Sequence, residues 1–204
     1  MTTPRDKLST EEKIVVFFDM CSSSTILEDL LATNNKGALR DVLIETKDYL
    51  RARAVEHDFI FYKFIGDGWI LLFPPAVGGV ALVSFLTGLS QYFSAQLKKR
   101  VLPRLQQTPK VLGLTFGVDK GPLVCLEMLE QTEYNGRGLN VASRLQGAIK
   151  NKDKNPAYKV LVSKHSFKDL RIPKGTYKID SVTRELRNIQ GGKRLEFMKL
   201  TLPM

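Results

Sequence analysis

The stretch "FIFYKFIGDGWILLF", residues 59–73, consists of two apolar runs separated by Gly66-Asp67-Gly68. Two such runs around a short glycine-rich turn predict a β-hairpin, and the prolines at 74 and 75 end its second strand. Lys63 and Asp67 nevertheless lie within it, four residues apart. A cation and a carboxylate in a stretch typical of buried sheet indicate that the end of this hairpin has a functional role in addition to packing in the core.

The segments around the hairpin alternate between strand and helix patterns. "KIVVFFD" (13–19) has the continuous apolar run of a central strand, and "SSSTILEDLLATNN" (22–35) predicts a helix with Ser or Thr caps. Helices are also expected at 38–57, 77–103 and 136–150, and a short one at 166–170. "KVLGLTFGVDKGPLVCLEM" (110–128) is interpreted as two strands joined around "DKG", followed by a strand at 158–164 and closing antiparallel strands within 176–202.

Helices interleaved with hairpins predict an α+β fold in which a mainly antiparallel sheet has helices packed on it. Within that class, the order of elements favours a ferredoxin-like core. The chain has 204 residues, which suits one domain over 1–204.

Charge and composition limit the classes of partner. The net charge is +10, from 31 basic and 21 acidic residues, which favours an anionic partner such as a nucleic acid, a membrane surface or a phosphorylated small molecule. The N-terminal "MTTPRDKLSTEEK" is too polar for a secretory signal, and Gly and Pro interrupt the most apolar window, so no membrane span and a cytoplasmic location are expected. Cys21 and Cys125 form no metal-ligand pattern, and His57 and His165 are isolated.

Two carboxylates end apolar strands and form the candidate site. Asp19 follows "KIVVFF", and Asp67 lies in the hairpin turn. If the two strands are neighbours, the carboxylates meet at one end of the sheet, where their repulsion calls for a cation. Oxygen donors without His or Cys suit Mg²⁺ or Mn²⁺. Taken singly, Asp67 is also an ordinary turn residue and Asp19 an ordinary residue before a helix.

Four blocks together resemble the class III nucleotidyl cyclases. "VVFFDMCSSST" is similar to the family's opening strand, "YKFIGDGWILLF" to its hairpin, "LGLTFGVDKGPLV" to its strand pair and "EYNGRGLNVASRLQ" to its helix motif. The blocks occur in the family's order over residues 13–146. The resemblance implies conversion of a nucleoside triphosphate into its 3′,5′-cyclic monophosphate and pyrophosphate, with two Mn²⁺ or Mg²⁺ ions per site.

The resemblance also assigns roles to residues. Asp19, Asp67 and the carbonyl of Met20 match the metal positions, and Asn140 and Arg144 match the pair that stabilises the transition state. Phe18, Lys63, Glu133 and Arg194 match substrate-binding positions: Lys63 and Glu133 would read the base, and Arg194, or Lys193 beside it, would bind the triphosphate. In the family these sets come from two subunits. A homodimer with two composite sites is therefore implied.

The nucleotide base of the substrate is the part of this interpretation that the sequence determines least. Lys63 with Glu133 provides a donor and an acceptor, which suit uracil and equally serve cytosine or adenine. Bulky Tyr62, Trp69 and Tyr134 nearby favour a smaller base. The chain resembles the stand-alone bacterial pyrimidine cyclases of Pycsar antiphage systems, which implies a uridylate cyclase first and a cytidylate cyclase second. It also implies a separate effector activated by the cyclic nucleotide during abortive infection.

Three other functions fit parts of the sequence. A diguanylate cyclase shares the fold and a similar hairpin, but the rest of its "GGDEF" motif is missing. A catalytically inactive nucleotide-binding module would not need Asn140 and Arg144. A basic RNA-binding domain of ferredoxin-like fold would carry interleaved basic and aromatic residues on its sheet, and the sequence has none.

Overall fold

Strand β1 (Ser9–Met20) runs through the middle of the sheet, between β3 and β4. The structure, a computed structural model, describes residues 9–128, 130–173, 175, 177–186, 189 and 194–204. Ile14, Val15, Val16 and Phe18 of β1 are all buried. Because successive side chains of a strand point to opposite faces, this run is covered on both sides of the sheet, as the sequence predicted.

The described residues form eight strands and five α-helices. The strands that follow β1 are β2 (Ile60–Ile65), β3 (Gly68–Phe73), β4 (Leu114–Met128), β5 (Gln131–Asn135), β6 (Lys159–Ser163), β7 (Lys178–Glu185) and β8 (Arg194–Thr201). The helices are α1 (Ser23–Ala32), α2 (Gly37–His57), α3 (Gly79–Gln96), α4 (Arg137–Lys152) and α5 (Lys164–Asp169). Helix α3 continues into a π turn and a 3₁₀ turn that end at Arg104.

The strand order is β2-β3-β1-β4-β6-β8-β7, with β5 paired to β4. The first four positions form an antiparallel ferredoxin-like core, because β1–α1–α2–β2 and β3–α3–β4 are crossovers that each skip one strand. Only the pairing of β4 with β6 is parallel among the described strands, and α4 makes that crossover. The predicted α+β fold with a mainly antiparallel sheet is confirmed.

The interpretation of residues 110–128 as two strands is wrong. "DKG" makes no turn there: β4 continues through it and stays paired with β1 from Leu114 to Cys125. Pro122 does not break this strand because it lies beyond the residues that pair with β6 and before those that pair with β5. The amide of Lys120, two residues earlier, points away from β1 and donates to the hydroxyl of Ser166. The nitrogen of Pro122 has the same orientation, away from β1. Its lack of an N–H therefore removes no hydrogen bond between β4 and β1.

Helices cover the two faces of the sheet unequally. Helices α1, α2 and α3 bury one face in the main core, while α4 packs on the other face in two smaller clusters. Gly117 of β4 lets α4 approach closely, since a Cβ at this position would lie 1.9 Å from the carbonyl oxygen of Ala142. No described helix is long and apolar enough to cross a membrane.

Two local predictions were wrong. Ser22 precedes α1 in a left-handed conformation, and its hydroxyl donates to the carbonyl of Val111 instead of capping the helix. The first-turn amides of α1 therefore receive no side-chain cap. On α2, the spacing of the apolar residues predicted that Val55 would share a face with Leu39, Val42, Leu43 and Leu50, yet Val55 is almost fully exposed. It follows Leu50 by five residues, so it turns away from the core that Leu50 and Ala54 contact.

Candidate active site

Asp19 and Asp67 lie at the same end of the sheet. β1 and β3 are antiparallel neighbours, and Asp19 is the direct partner of Gly68, the residue after Asp67. Forty-seven intervening residues fold into α1, α2 and β2 before the chain returns to this point. The expectation that the two strands are neighbours is confirmed, and both residues lie at this end of the sheet.

Gly68 allows the two strands to come this close. A Cβ at position 68 would lie 2.6 Å from the carbonyl oxygen of Phe18 and 3.3 Å from Oδ1 of Asp19. The second glycine of "GDG" is thus required by the approach of β3 to the end of β1, in addition to any preference of the turn.

Oδ2 of Asp67 is buried and receives no hydrogen bond within the described part of the chain. A carboxylate oxygen buried without a donor is costly, so such an atom in a folded protein indicates a missing partner. A bound cation would provide that partner.

Asp19 is held by groups that the sequence reasoning missed. Its Oδ1 accepts from the amide of Met20 at 2.9 Å, and its Oδ2 lies 3.4 Å from Nε2 of Gln146 on α4. The same Nε2 donates to the hydroxyl of Thr115 at 2.7 Å, which ties α4 to β4 beneath the site. Gln146 follows Arg144 by two residues, and only the packing of α4 on the sheet reveals its role.

Lys63 and Glu133 form an ion pair with 2.6 Å between Nζ and Oε2, although they are 70 residues apart. The β4–β5 hairpin brings Glu133 back over the sheet to β2. Tyr62 joins the pair, since its hydroxyl donates to the same Oε2 at 2.5 Å and accepts from the amide of Tyr134 at 3.0 Å. The structure therefore brings the two predicted base-reading residues together.

A β-bulge explains why adjacent residues 62 and 63 reach one carboxylate. The register of β2 against β3 shifts between Phe61 and Lys63. The extra residue in the bulge places Tyr62 and Lys63 on the face towards β5. Phe61 and Phe64 lie on the opposite face, towards α1 and α2.

The contacts around Glu133 favour the charged forms of the pair. The bond from Lys63 lowers the pKa of Glu133, and the bond to Glu133 raises the pKa of Lys63. Burial, followed by the bond to Glu133, raises the pKa of Tyr62 and keeps its hydroxyl protonated as a donor. Around neutral pH the cluster holds one ammonium, one carboxylate and one phenol.

Asn140 and Arg144 lie one turn apart on α4, and both are exposed. Their spacing places them on one face of the helix, as predicted. Gly136 precedes α4 without a side-chain cap, and a Cβ there would lie 2.8 Å from the carbonyl oxygen of Pro122. The glycine-rich entry thus holds the start of α4 against β4.

Solved structures share this arrangement of sheet and helices. The guanylyl cyclase Cya2 has a TM-score of 0.71 at 13% identity, over 96% of this chain and 94% of its own. The adenylyl cyclase CyaB from P. aeruginosa has a TM-score of 0.70 at 17% identity, over 97% of each chain. The guanylate cyclase domain of RhGC from Catenaria anguillulae in complex with GTP has a TM-score of 0.61 at 17% identity, over 96% of this chain and 100% of its own.

The fold is that of the adenylyl and guanylyl cyclase catalytic domains. No protein-family model matches the sequence, and no curated protein matches it. The likeness thus lies in the tertiary structure. At these sequence identities the fold is shared, but most side chains differ.

On this cyclase fold, the donors available to a cation are few. No group of three or more His, Cys, Asp or Glu side chains that could hold a metal occurs among the described residues. Asp19 and Asp67 provide two carboxylates at one end of the sheet. Mg²⁺ is commonly bound by one or two carboxylates together with substrate phosphates, so a two-carboxylate site fits an ion that arrives with a nucleotide.

The remaining predicted residues have less specific positions. The side chains of Phe18 and Met20 are fully buried, and the ring of Phe18 stacks on Trp69 at 5.1 Å, so neither side chain faces a ligand at the surface. Arg194 begins β8 and is exposed. Lys193 lies outside the described residues.

Of the three aromatic residues expected to narrow the base site, two lie at the Lys63–Glu133 pair. Tyr62 and Tyr134 meet edge to face at 5.3 Å. Trp69 instead belongs to the main core on the helix side of the sheet, where it packs against Phe18 and Phe64. Its expected role at the base is therefore wrong, because its position in β3 points it away from β5.

Proposed function

We propose that this protein is a nucleotidyl cyclase. The observation that supports this most directly is the convergence of Asp19 and Asp67 at one end of a cyclase-type sheet, with Oδ2 of Asp67 buried and lacking a donor. In the reaction, the ribose 3′-oxygen forms a bond to the α-phosphorus and the bond from that phosphorus to the bridging oxygen breaks. Pyrophosphate leaves, and the 3′-hydroxyl proton passes to solvent.

Asp19, Asp67 and the carbonyl of Met20 would hold two Mn²⁺ or Mg²⁺ ions in this site. When bound, such ions favour ionisation of the 3′-hydroxyl and neutralise the phosphates of the leaving group. Gln146 and the amide of Met20 keep the Asp19 carboxylate in place through their hydrogen bonds. Gly68 keeps that carboxylate next to the hairpin turn that carries Asp67.

The chain also offers groups for the nucleotide itself. The first-turn amides of α1 lack a side-chain cap and directly follow the turn after Asp19, so they are suited to phosphate oxygens. Asn140 would bind the ribose, and Arg144 would stabilise the charge that develops on the α-phosphate. Arg194 is the candidate cation for the triphosphate.

Asn140 and Arg144 are exposed on α4, whereas Asp67 is partly buried in the hairpin turn. We therefore propose a homodimer in which the metal residues of one subunit meet Lys63, Glu133, Asn140 and Arg144 of the other. The hairpin would then serve two sites, with Asp67 in one and Lys63 in the other.

For the base, we propose uracil. Oε2 of Glu133 already receives Tyr62 and Lys63, so Oε1 can accept the N3–H of uracil while a free Lys63 proton reaches O4. Tyr62 and Tyr134 occupy space beside the pair, which favours a single-ring base. Cytidylate and adenylate cyclase are the alternatives. As a uridylate cyclase, the protein would make a second messenger for antiphage defence that activates a separate effector.

The test is an assay of the purified chain with each of the four nucleoside triphosphates and Mn²⁺. We expect cyclic monophosphate and pyrophosphate in equal amounts, with UTP used at least about tenfold more efficiently than ATP or GTP, a difference of about 1.4 kcal/mol. A preference for ATP would support the proposed cyclase activity and contradict the assignment of uracil as the base. No product from any nucleotide, with measurable nucleotide binding, would favour an inactive nucleotide-binding module.

The dimer has its own test in subunit mixing. Asp19→Ala and Arg144→Ala chains are each expected to be inactive alone, because every homodimer of either variant lacks one essential group at both sites. In an equal mixture, half of the dimers are mixed and each contains one intact site, so about one quarter of wild-type activity should return. Mixing Asp19→Ala with Asp67→Ala is the control, since both changes affect the same half-site and activity should stay absent. Equal recovery in both mixtures, or none in either, would contradict the composite site.

A further inference from the structure

A cavity of about 690 Å³ lies on the helix side of the hairpin, between α1, α2 and β2–β3. This face of the hairpin is opposite to the one on which Lys63 meets Glu133 of β5. The volume is in the range of sites for small organic molecules, which are typically apolar with a few well-placed polar groups. The proposed cyclase reaction uses one end of this cavity, where Asp67 and the first turn of α1 at Ser23 and Ser24 lie.

The walls of the cavity are apolar and partly exposed to solvent. Phe64, Ile44 and Leu27 are 50%, 44% and 41% exposed, and all three line the same space. Leu43 and Trp69 form the deeper wall. Large apolar side chains that share one concave surface indicate a bound apolar group, because covering them is favourable in proportion to the area removed from water.

Cations lie along one side of the cavity. Lys36, immediately before α2, lines it together with Arg40 and Lys47 of that helix, and their spacing of four and seven residues places them on one side of the helix. Arg40 and Lys47 contact the exposed neighbours Asp41 and Asp48, and such surface pairs are weak. Lys36 forms no ion pair in the part of the chain that the structure describes.

The two ends of the cavity thus differ in charge. The α2 side carries three cations, whereas the hairpin side carries the Asp67 carboxylate. An anionic head group is attracted to the first and repelled by the second. This asymmetry determines the orientation of a ligand as well as its charge: the head lies at α2, and the apolar body extends towards Phe64 and Trp69.

We propose that this cavity binds a medium-chain acyl carboxylate, with its carboxylate at Arg40 and Lys36 and its hydrocarbon chain against the hairpin. An unbranched hydrocarbon chain matches the apolar wall between α2 and β2, and a single carboxylate matches the cations. Binding at this site does not require the proposed cyclase activity. A link to turnover would rest on that activity, through Asp67, which borders both the cavity and the candidate active site.

Trp69 provides a direct measurement, because it lines the cavity and is the only tryptophan in the chain. Decanoate with a bromine on its terminal carbon should quench the Trp69 fluorescence on binding, since the tail is the end that reaches the hairpin. Unbrominated decanoate should compete for the site. Affinity should rise about fourfold for each methylene added to the chain, below the concentration at which micelles form.

Matched ligands and variants separate this site from general hydrophobic adsorption. Decyltrimethylammonium has the same chain with a positive head and should bind at least about tenfold more weakly. Arg40→Glu should weaken decanoate binding by a similar factor, and Ile44→Asp should weaken it through the apolar wall. Arg51→Glu, an exposed arginine of the same helix outside the cavity, is the control and should bind like the wild type.

The measurements need no nucleotide, so an inactive chain still tests the proposal. Circular dichroism of each variant establishes that α2 remains folded. Equal binding of the cationic and anionic ligands, equal weakening by Arg40→Glu and Arg51→Glu, or no saturable quenching would each overturn the proposal. Quenching that disappears as the chain dimerises would overturn it in favour of a second copy covering the cavity.

Discussion

Asp67→Ala is expected to reduce cyclic nucleotide formation by about a thousandfold or more, because it removes one of the two carboxylates proposed to hold the cations. Asp67→Asn should be nearly as inactive, since an amide keeps the shape of the side chain and loses its charge. The measurement is product formed per minute at saturating nucleotide and Mn²⁺.

The stability of Asp67→Ala distinguishes a functional carboxylate from a structural one. Oδ2 of Asp67 is buried without a donor, so its removal should leave the free energy of unfolding unchanged or raise it. Mn²⁺ with a non-hydrolysable triphosphate should raise the melting temperature of the wild type and not that of the variant. Asp180→Ala, at an exposed carboxylate of β7, serves as the control and should keep full activity. A variant that is destabilised but still active would contradict the proposed role.

Gly117→Ala is expected to lower the free energy of unfolding by about 3 kcal/mol or more. The added Cβ would lie 1.9 Å from the carbonyl oxygen of Ala142 and 2.6 Å from the amide nitrogen of Gln146. Both atoms are backbone of α4, so no side-chain rotation can relieve the overlap and the helix must move off the sheet.

The displacement of α4 has a second consequence. This helix carries Asn140, Arg144 and Gln146, so any Gly117→Ala protein that still folds should have lost activity as well as stability. Gly121→Ala is the matched control on the same strand, because a Cβ there meets nothing within 4 Å. Chemical denaturation of the three proteins compares them directly, and equal stability of both variants would contradict the close approach of α4.

The sequence by itself predicted the elements whose pattern is local. The apolar run of β1, the 59–73 hairpin and the order of helices each follow from periodicity and turn residues within a short window. These patterns also placed Asp19 and Asp67 at strand ends, and the four cyclase-like blocks assigned their roles. The failures were local as well: "DKG" has good turn residues, yet β1 supplies a continuous partner that keeps β4 extended through it.

Only the tertiary structure decided which side chains meet. The contact of Tyr62 and Lys63 with Glu133 depends on a bulge in β2 and on the return of β5 over the sheet, and neither has a signature in the sequence. Gln146 reaches Asp19 because Gly117 lets α4 pack closely on the sheet. Trp69 lies in the main core and not at the predicted base site because of its register on β3. The physical reason is the same in each case: local sequence determines backbone periodicity, whereas contacts between distant residues depend on strand register and close packing of the whole chain.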